Sequence, residues 1–328
     1  MDELDRPESQ DGATSSAPLK GREVVGRLVV VPALIVLCCV AVFLLFGLLT
    51  SQRASDAKED LDKYMQLLSV PGGKRTLSNF LVGPDKGRWQ HALKVSDLVH
   101  EIEDTHERAV RVRQLCEIAR NTADDEDRIR GFLMMVLTNL EDANAIPTFV
   151  ETLERAGREA PLFAMMGLAK VGHLPEAQNS LPKVAAMLEE NADGGIRQAA
   201  AFTLGTFGRH ATTPAVRQQA IDALTACLQR GDAVAPVRWN AAIGLAYSGS
   251  PAGREELLTM LDVEYMSRNV ESSDIRVQSG QRIRNRIAAV QAAALLDDPE
   301  LTSVLEQLAE SDPETPVRMA AQEALGLE

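Results

Sequence analysis

The stretch VRWNAAIGLAYSG, residues 237–249, repeats the wording of IRQAAAFTLGTFG, which begins forty-one residues earlier at Ile196. Aligned as windows of ten, Ile196 to Gly205, Val237 to Ala246 and Val317 to Gly326 share an apolar first residue, Arg second, Ala fifth and Leu ninth. Further copies begin at Gly87, Ile129, Ala160 and Arg284, the last with a shift, so the starts lie 31 to 47 residues apart. Periods of that size belong to stacked helix pairs.

The companion helix of each pair is legible between the windows. IPTFVETLE from Ile146, LPKVAAMLEE from Leu181, GREELLTML from Gly253 and LTSVLEQLAE from Leu301 place apolar residues at helical spacing. Pro147 and Pro182 suit a first turn, where a fixed φ helps and a missing N–H costs nothing. One such pair cannot bury its apolar surface alone and must share a face with its neighbour. The small pairs Ala199–Ala200, Ala241–Ala242, Ala288–Ala289 and Ala320–Ala321 mark where helices approach closely.

Composition agrees with an all-α chain. The 328 residues are 45% hydrophobic but only 4% aromatic, the weight lying in helix formers such as Ala, Leu and Met. A formal charge of −13 lacks the basic footprint that nucleic-acid binding needs. The four cysteines, Cys38, Cys39, Cys116 and Cys227, have no zinc or redox spacing and read as small apolar residues.

An Asp before the turn followed by V-R-x-x-A-A-x-x-L-G resembles the HEAT repeat, in particular the bacterial HEAT-like kind related to phycobilisome-lyase repeats. The resemblance covers about residues 80–328 and departs from the pattern at Pro161, where Arg is expected, and around 284. It implies an α-solenoid of about seven helix pairs and a scaffold rather than an enzyme; a lyase-like or accessory role, with a small ligand or metal in the groove, is the alternative.

Upstream of the repeats the chain changes character. Residues 28–52 carry no charge, and the apolar run 28–49 within them, at roughly 33 Å as a helix, is long enough to span a bilayer. The acidic 27 residues before it are long for a signal peptide, and no clear cleavage site follows. The expected organisation is therefore a disordered tail over 1–27, a transmembrane helix over 28–52, a linker over 53–80 and the repeat domain over 81–328. Lys20, Arg22 and Arg27 match Arg53, Lys58 and Lys63 in number but sit closer to the apolar run. That favours an inside N-terminus with the repeats on the other side.

Several side chains stand out. Arg88, Arg130, Arg197, Arg238 and Arg318 each follow an Asp by three to six residues, namely Asp85, Asp127, Asp193, Asp232 and Asp312, and are expected to form a structural ladder with them. Trp89 and Trp239, both third in their windows, are candidate partner anchors or inter-repeat packing. The interval from Asp262 to Gln281 is expected to be a loop insertion. With the helix start beyond it, Arg268, Arg276, Arg282, Arg284 and Arg286 make a basic patch, either a site for a partner protein or a solvated loop whose arginines pair with the preceding acidic helix. HEIEDTHE, from His100 to Glu107, has two His-Glu pairs like those of helical iron hydroxylases, but both lie in one stretch outside the repeat register, so a solvated helix face is expected. No nucleophile, phosphate-loop or paired-Cys motif occurs, and no cofactor is expected. Val317, Ala321, Ala324, Leu325 and Leu327 cannot all face inward, which makes the last repeat a candidate for self-association.

The anchor reading predicts that deletion of residues 1–52 releases a soluble helical protein, measured by membrane fractionation and circular dichroism. A truncated chain that stays in the membrane without aggregating rejects a single anchor.

Overall fold

The computed structural model describes residues 59–69, 84–270 and 274–327. The tail and the apolar segment 28–52 lie outside these residues; no helix among the described ones is long and apolar enough to cross a membrane. The compact unit that contains the repeats runs from Asp60 to Glu328.

Its helices are α1 (59–69), α2 (Pro84–His100), α3 (Thr105–Asn121), α4 (Asp127–Leu140), α5 (Ile146–Thr152), α6 (Glu159–Lys170), α7 (Pro175–Gln178), α8 (Leu181–Glu190), α9 (Gly194–Arg209), α10 (Pro214–Arg230), α11 (Ala235–Tyr247), α12 (Arg254–Leu261), α13 (Val263–Asn269), α14 (Ile275–Ala293), α15 (Pro299–Ser311) and α16 (Thr315–Ala324). No strand occurs among the described residues. The repeat windows fall on α2, α4, α6, α9, α11, α14 and α16, and each of these packs on the next. The companion helices touch one another far less. The array is therefore two layers deep, with the window helices forming the tighter, inner layer.

Local chemistry sets the helix boundaries. Asp104, Asp193, Asp262, Asp274 and Asp298 accept hydrogen bonds from the first backbone N–H groups of the helices that follow them. α10 begins after the Thr213 cap with Pro214 in its first turn and ends at Gly231, whose φ of 70° suits a residue without a Cβ. The companion helices are amphipathic: α8 buries Leu181, Val184 and Leu188, and α15 buries Leu301, Leu305 and Ala309. The inner helices are buried on two sides. On α11, Val237, Ala241 and Leu245 join the core of the preceding repeats. Trp239, Ala242 and Ala246, on the adjoining face, join the core of the following ones.

Two expectations change. The 53–80 segment contributes to the repeats, because α1 buries Leu61, Met65 and Leu68 in the same core as α3 and α4. The 262–281 interval is not a loop in its described part. Asp262 caps α13, Asp274 caps α14, and α14 simply begins two turns earlier than its window. The polar composition of that interval hid two N-caps.

The inner helices approach most closely where side chains are missing. A methyl group on Gly205 would lie 2.7 Å from the Gly244 Cα, across the α9–α11 contact. Alanine is the better helix former by about 1 kcal/mol, yet Gly205→Ala is expected to destabilise the array by about 1–3 kcal/mol, because two backbones must separate. Urea unfolding measures the sign; a gain in stability would show that the helices part freely.

Candidate functional site

The recurring arginines form a relay, with different partners from those the spacing suggests. Arg197 donates to both oxygens of Asp232, in the turn of the next repeat, at 2.6 and 2.9 Å. It also donates to the carbonyls of Asn191 and Ala192 in its own turn, at 2.9 and 3.0 Å. Arg238 does not take the Asp232 carboxylate; it donates to the Asp232 carbonyl, to Glu256 at 3.3 Å and to the Tyr265 hydroxyl at 3.1 Å. Asp312 behaves as Asp232 does. Its carboxylate is bound by Arg286, its carbonyl by Arg318 at 2.6 Å. Each of these aspartates thus joins two repeats, through its side chain to the one before and through its backbone to its own.

The relay reassigns two of the five arginines of the expected basic patch. Arg286 is 1% exposed and also donates to the Leu261 carbonyl and to Glu314. Arg282 is bound to Glu314 at 2.6 Å and reaches Ser267 at 3.3 Å. Both are structural because their α14 positions face the next turn. Arg268, Arg276 and Arg284 remain exposed; the first two sit 3.8 and 3.9 Å from Glu264 and Asp274.

Trp239 is likewise no anchor. It is 3% exposed, packed toward α14, and its indole N–H has no partner. The third window position faces the following repeat, which is why it is buried. Met319, at the same position in the last window, is 61% exposed, and Leu327 is 60% exposed. Arg88 and Trp89 fall on α2, with side chains outside the described residues. HEIEDTHE spans the break between α2 and α3 rather than a helix face, with Asp104 capping α3 through His106 N and Glu107 N at 2.8 and 3.2 Å. Among the described residues no three His, Cys, Asp or Glu are grouped to hold a metal. Cys116 and Cys227 are free and buried.

A different face stands out once the windows are superposed on their arginines. Position seven holds Leu93, Met135, Met166, Phe202 and Ile243 in successive repeats, and position eleven holds Tyr247, Leu295 and Leu327 in the later ones. Leu93, Met166, Phe202, Leu295 and Leu327 are all exposed. Position seven lies on one face of α2, α4, α6, α9 and α11, with Tyr247 one turn further along α11, so these side chains form a row across five window helices, whereas Leu295 and Leu327 follow the ends of α14 and α16. The row deepens into a groove of about 440 Å³ over α4, α6, α9 and α11, walled by Met166, Phe202, Ile243 and Tyr247.

The groove carries positive charge at its rim. The Arg209 guanidinium lies 4.5 Å from the centre of the Tyr247 ring. Lys170 pairs with Glu141 at 3.0 Å. His210 sits beside them, its imidazole held below its ordinary pKa by burial first and then by Arg209 and His173. Sequence reasoning missed this site because an apolar residue inside a helical pattern reads as core. The available signal was the excess: windows whose positions one, five and nine already fill the core also carry an apolar residue at position seven, from Leu93 to Ile243.

No family model matches the chain, and no curated protein matches it. Among solved structures it is similar to human deoxyhypusine hydroxylase in complex with glycerol, at 15% identity over 83% of this chain and 97% of that one, with a TM-score of 0.34. It is also similar to an engineered protein, at 18% identity over 73% of this chain and 70% of that one, again with a TM-score of 0.34. Likenesses at that score carry no argument about function.

The relay is testable through its pH dependence. Hydrogen bonds from Arg197 hold the Asp232 carboxyl below its ordinary value, against the opposing effect of burial. A depressed carboxylate stabilises the fold above its unfolded pKa of about 3.9, and loses that contribution as pH falls through the lower folded value. Arg197→Ala should therefore cost about 3 kcal/mol near neutral pH, with the gap to wild type narrowing below about pH 3. A gap that is constant with pH would assign the arginine's contribution to its carbonyl contacts alone.

Proposed function

We propose that this chain is a membrane-tethered, non-catalytic scaffold that holds a partner protein along the inner face of its helix-pair array. The observation that carries this reading is the register of the exposed apolar side chains. Scattered exposed apolar residues are ordinary, but Leu93, Met166 and Phe202 are exposed at position seven of their window helices, in line with the half-buried Met135 and Ile243. A row that crosses five window helices suits an extended macromolecule better than a compact ligand. The tether rests on the uncharged segment 28–52, which would hold the array close to one membrane surface.

The groove itself favours a second reading. A volume of about 440 Å³ is that of a small-molecule site, and an accessory or lyase-like protein would hold its ligand there against Tyr247 and Arg209. The two readings differ in extent. Leu93 lies outside the groove but on the row, whereas Phe202 belongs to both.

Leu93→Ser in the full-length membrane protein is therefore expected to weaken partner capture by crosslinking severalfold, with helicity and melting unchanged because the side chain is exposed. Phe202→Ser should do the same. Loss with Phe202→Ser but full retention with Leu93→Ser would transfer the function to the groove and favour a small ligand.

A further inference from the structure

The rim of the groove and the pitch of the row point to one chemistry of partner. Resting on the scaffold reading above, we infer that the segment seated in this groove is an acidic amphipathic helix, with apolar residues repeating every seven positions and carboxylates facing Lys170 and Arg209.

Charge is the first ground. The chain as a whole carries −13, yet this groove gathers Lys170 and Arg209 around Met166, Phe202 and Tyr247. Glu141 answers Lys170. Arg209 is engaged by the Tyr247 ring and by no carboxylate among the described residues. An aromatic-backed guanidinium beside an apolar wall suits a carboxylate carried on an apolar surface.

Spacing is the second. Packed helices lie about 8–10 Å apart, so the apolar positions of α6, α9 and α11 repeat at that pitch across the array. Seven residues of an α-helix rise roughly 10.5 Å. A helix laid across the inner layer with apolar residues at every seventh position places one between each pair of window helices.

Backbone satisfaction is the third ground and separates a helix from an extended peptide. An extended segment brings N–H and C=O groups that need partners on the surface it covers. The groove offers few groups for that purpose: Thr138 donates to the Met134 and Phe163 carbonyls at 2.8 and 3.2 Å and Thr206 to the Phe202 carbonyl at 3.1 Å, which leaves chiefly the Asn139 and Asn240 amides and the Tyr247 hydroxyl. A helix satisfies its own backbone and needs only the apolar wall and the cations.

The test uses the full chain in nanodiscs and three labelled model helices of three heptads, read by fluorescence anisotropy. One carries leucine at every seventh position flanked by glutamates; the second replaces glutamate with lysine; the third keeps the acidic composition but spaces the leucines by five. The first should bind at least tenfold more tightly than the others. Phe202→Ser should weaken it at least tenfold, and Lys170→Glu with Arg209→Glu should reverse the preference toward the lysine helix. Equal binding of all three helices, absence of binding, or indifference to the charge reversal overturns the inference. A photo-crosslinker placed at Phe202 in native membranes separates the levels. Attachment to a basic or non-helical protein segment overturns this inference and leaves the scaffold standing; attachment to a lipid or small ligand overturns both.

Discussion

In a stack of helix pairs every repeat offers its neighbour the same kind of face, and the turn between the two helices carries polar groups into the contact. Here those groups are matched by a guanidinium that spans two repeats. Arg197 closes its own turn through the carbonyls of Asn191 and Ala192 and reaches the Asp232 carboxylate of the next. Arg286 repeats the arrangement with Leu261 and Asp312. Arginine suits this role because its planar fork donates in two directions at once. Lysine, a point charge, would satisfy one turn or the other. The relay fixes the register of successive pairs, and with it the alignment of the inner-layer helices.

The relay is not continuous: Arg238 meets Glu256 and Tyr265 instead of a turn aspartate in the next repeat, and the break before Pro161 is compensated. Arg155 stands six residues before Pro161, the place that Asp232 and Asp312 take before Arg238 and Arg318. Arg130 therefore finds no carboxylate in the next turn. It is fully buried, donates to the carbonyls of Thr122 and Ala123 at 2.7 Å, shares Asp124 with Arg155, and keeps two nitrogens without partners. Burial, and then Arg155, hold its pKa below the ordinary value. The connection between the two repeats is made in the opposite sense. The Asp127 carboxylate reaches forward and accepts from the N–H groups of Arg158, Glu159 and Ala160 at 2.8 to 3.1 Å, capping α6 from the repeat before it. Pro161, with no N–H to offer, costs nothing in that first turn.

Aligned repeats make a functional surface out of residues that are unremarkable one at a time. Phe202 or Met166 alone would be an ordinary exposed apolar side chain. Set at one register on successive helices that Gly205 and Gly244 allow to approach closely, they become a wall, and Arg209 becomes its charged rim. The groove is thus a consequence of the same stacking that the relay holds in place.

The sequence by itself determined the all-α class, the period, the Ala-rich inner helices and the recurrence of Asp and Arg, because these follow from helical spacing and from the need of each copy to fit the next. It also determined the uncharged segment at 28–52. The assignment of partners required the tertiary structure. Spacing along the chain pairs Asp232 with Arg238, whereas stacking brings Arg197 of the previous repeat to that carboxylate. Composition groups Arg282 and Arg286 with the exposed Arg276 and Arg284, whereas the rotation of α14 turns the first pair into the next repeat and the second pair outward. Trp239 and Phe202 are both large aromatic residues on window helices, four window positions apart. Only the placement of a neighbouring repeat over position three, and of none over position seven, buries the first and leaves the second open to a partner.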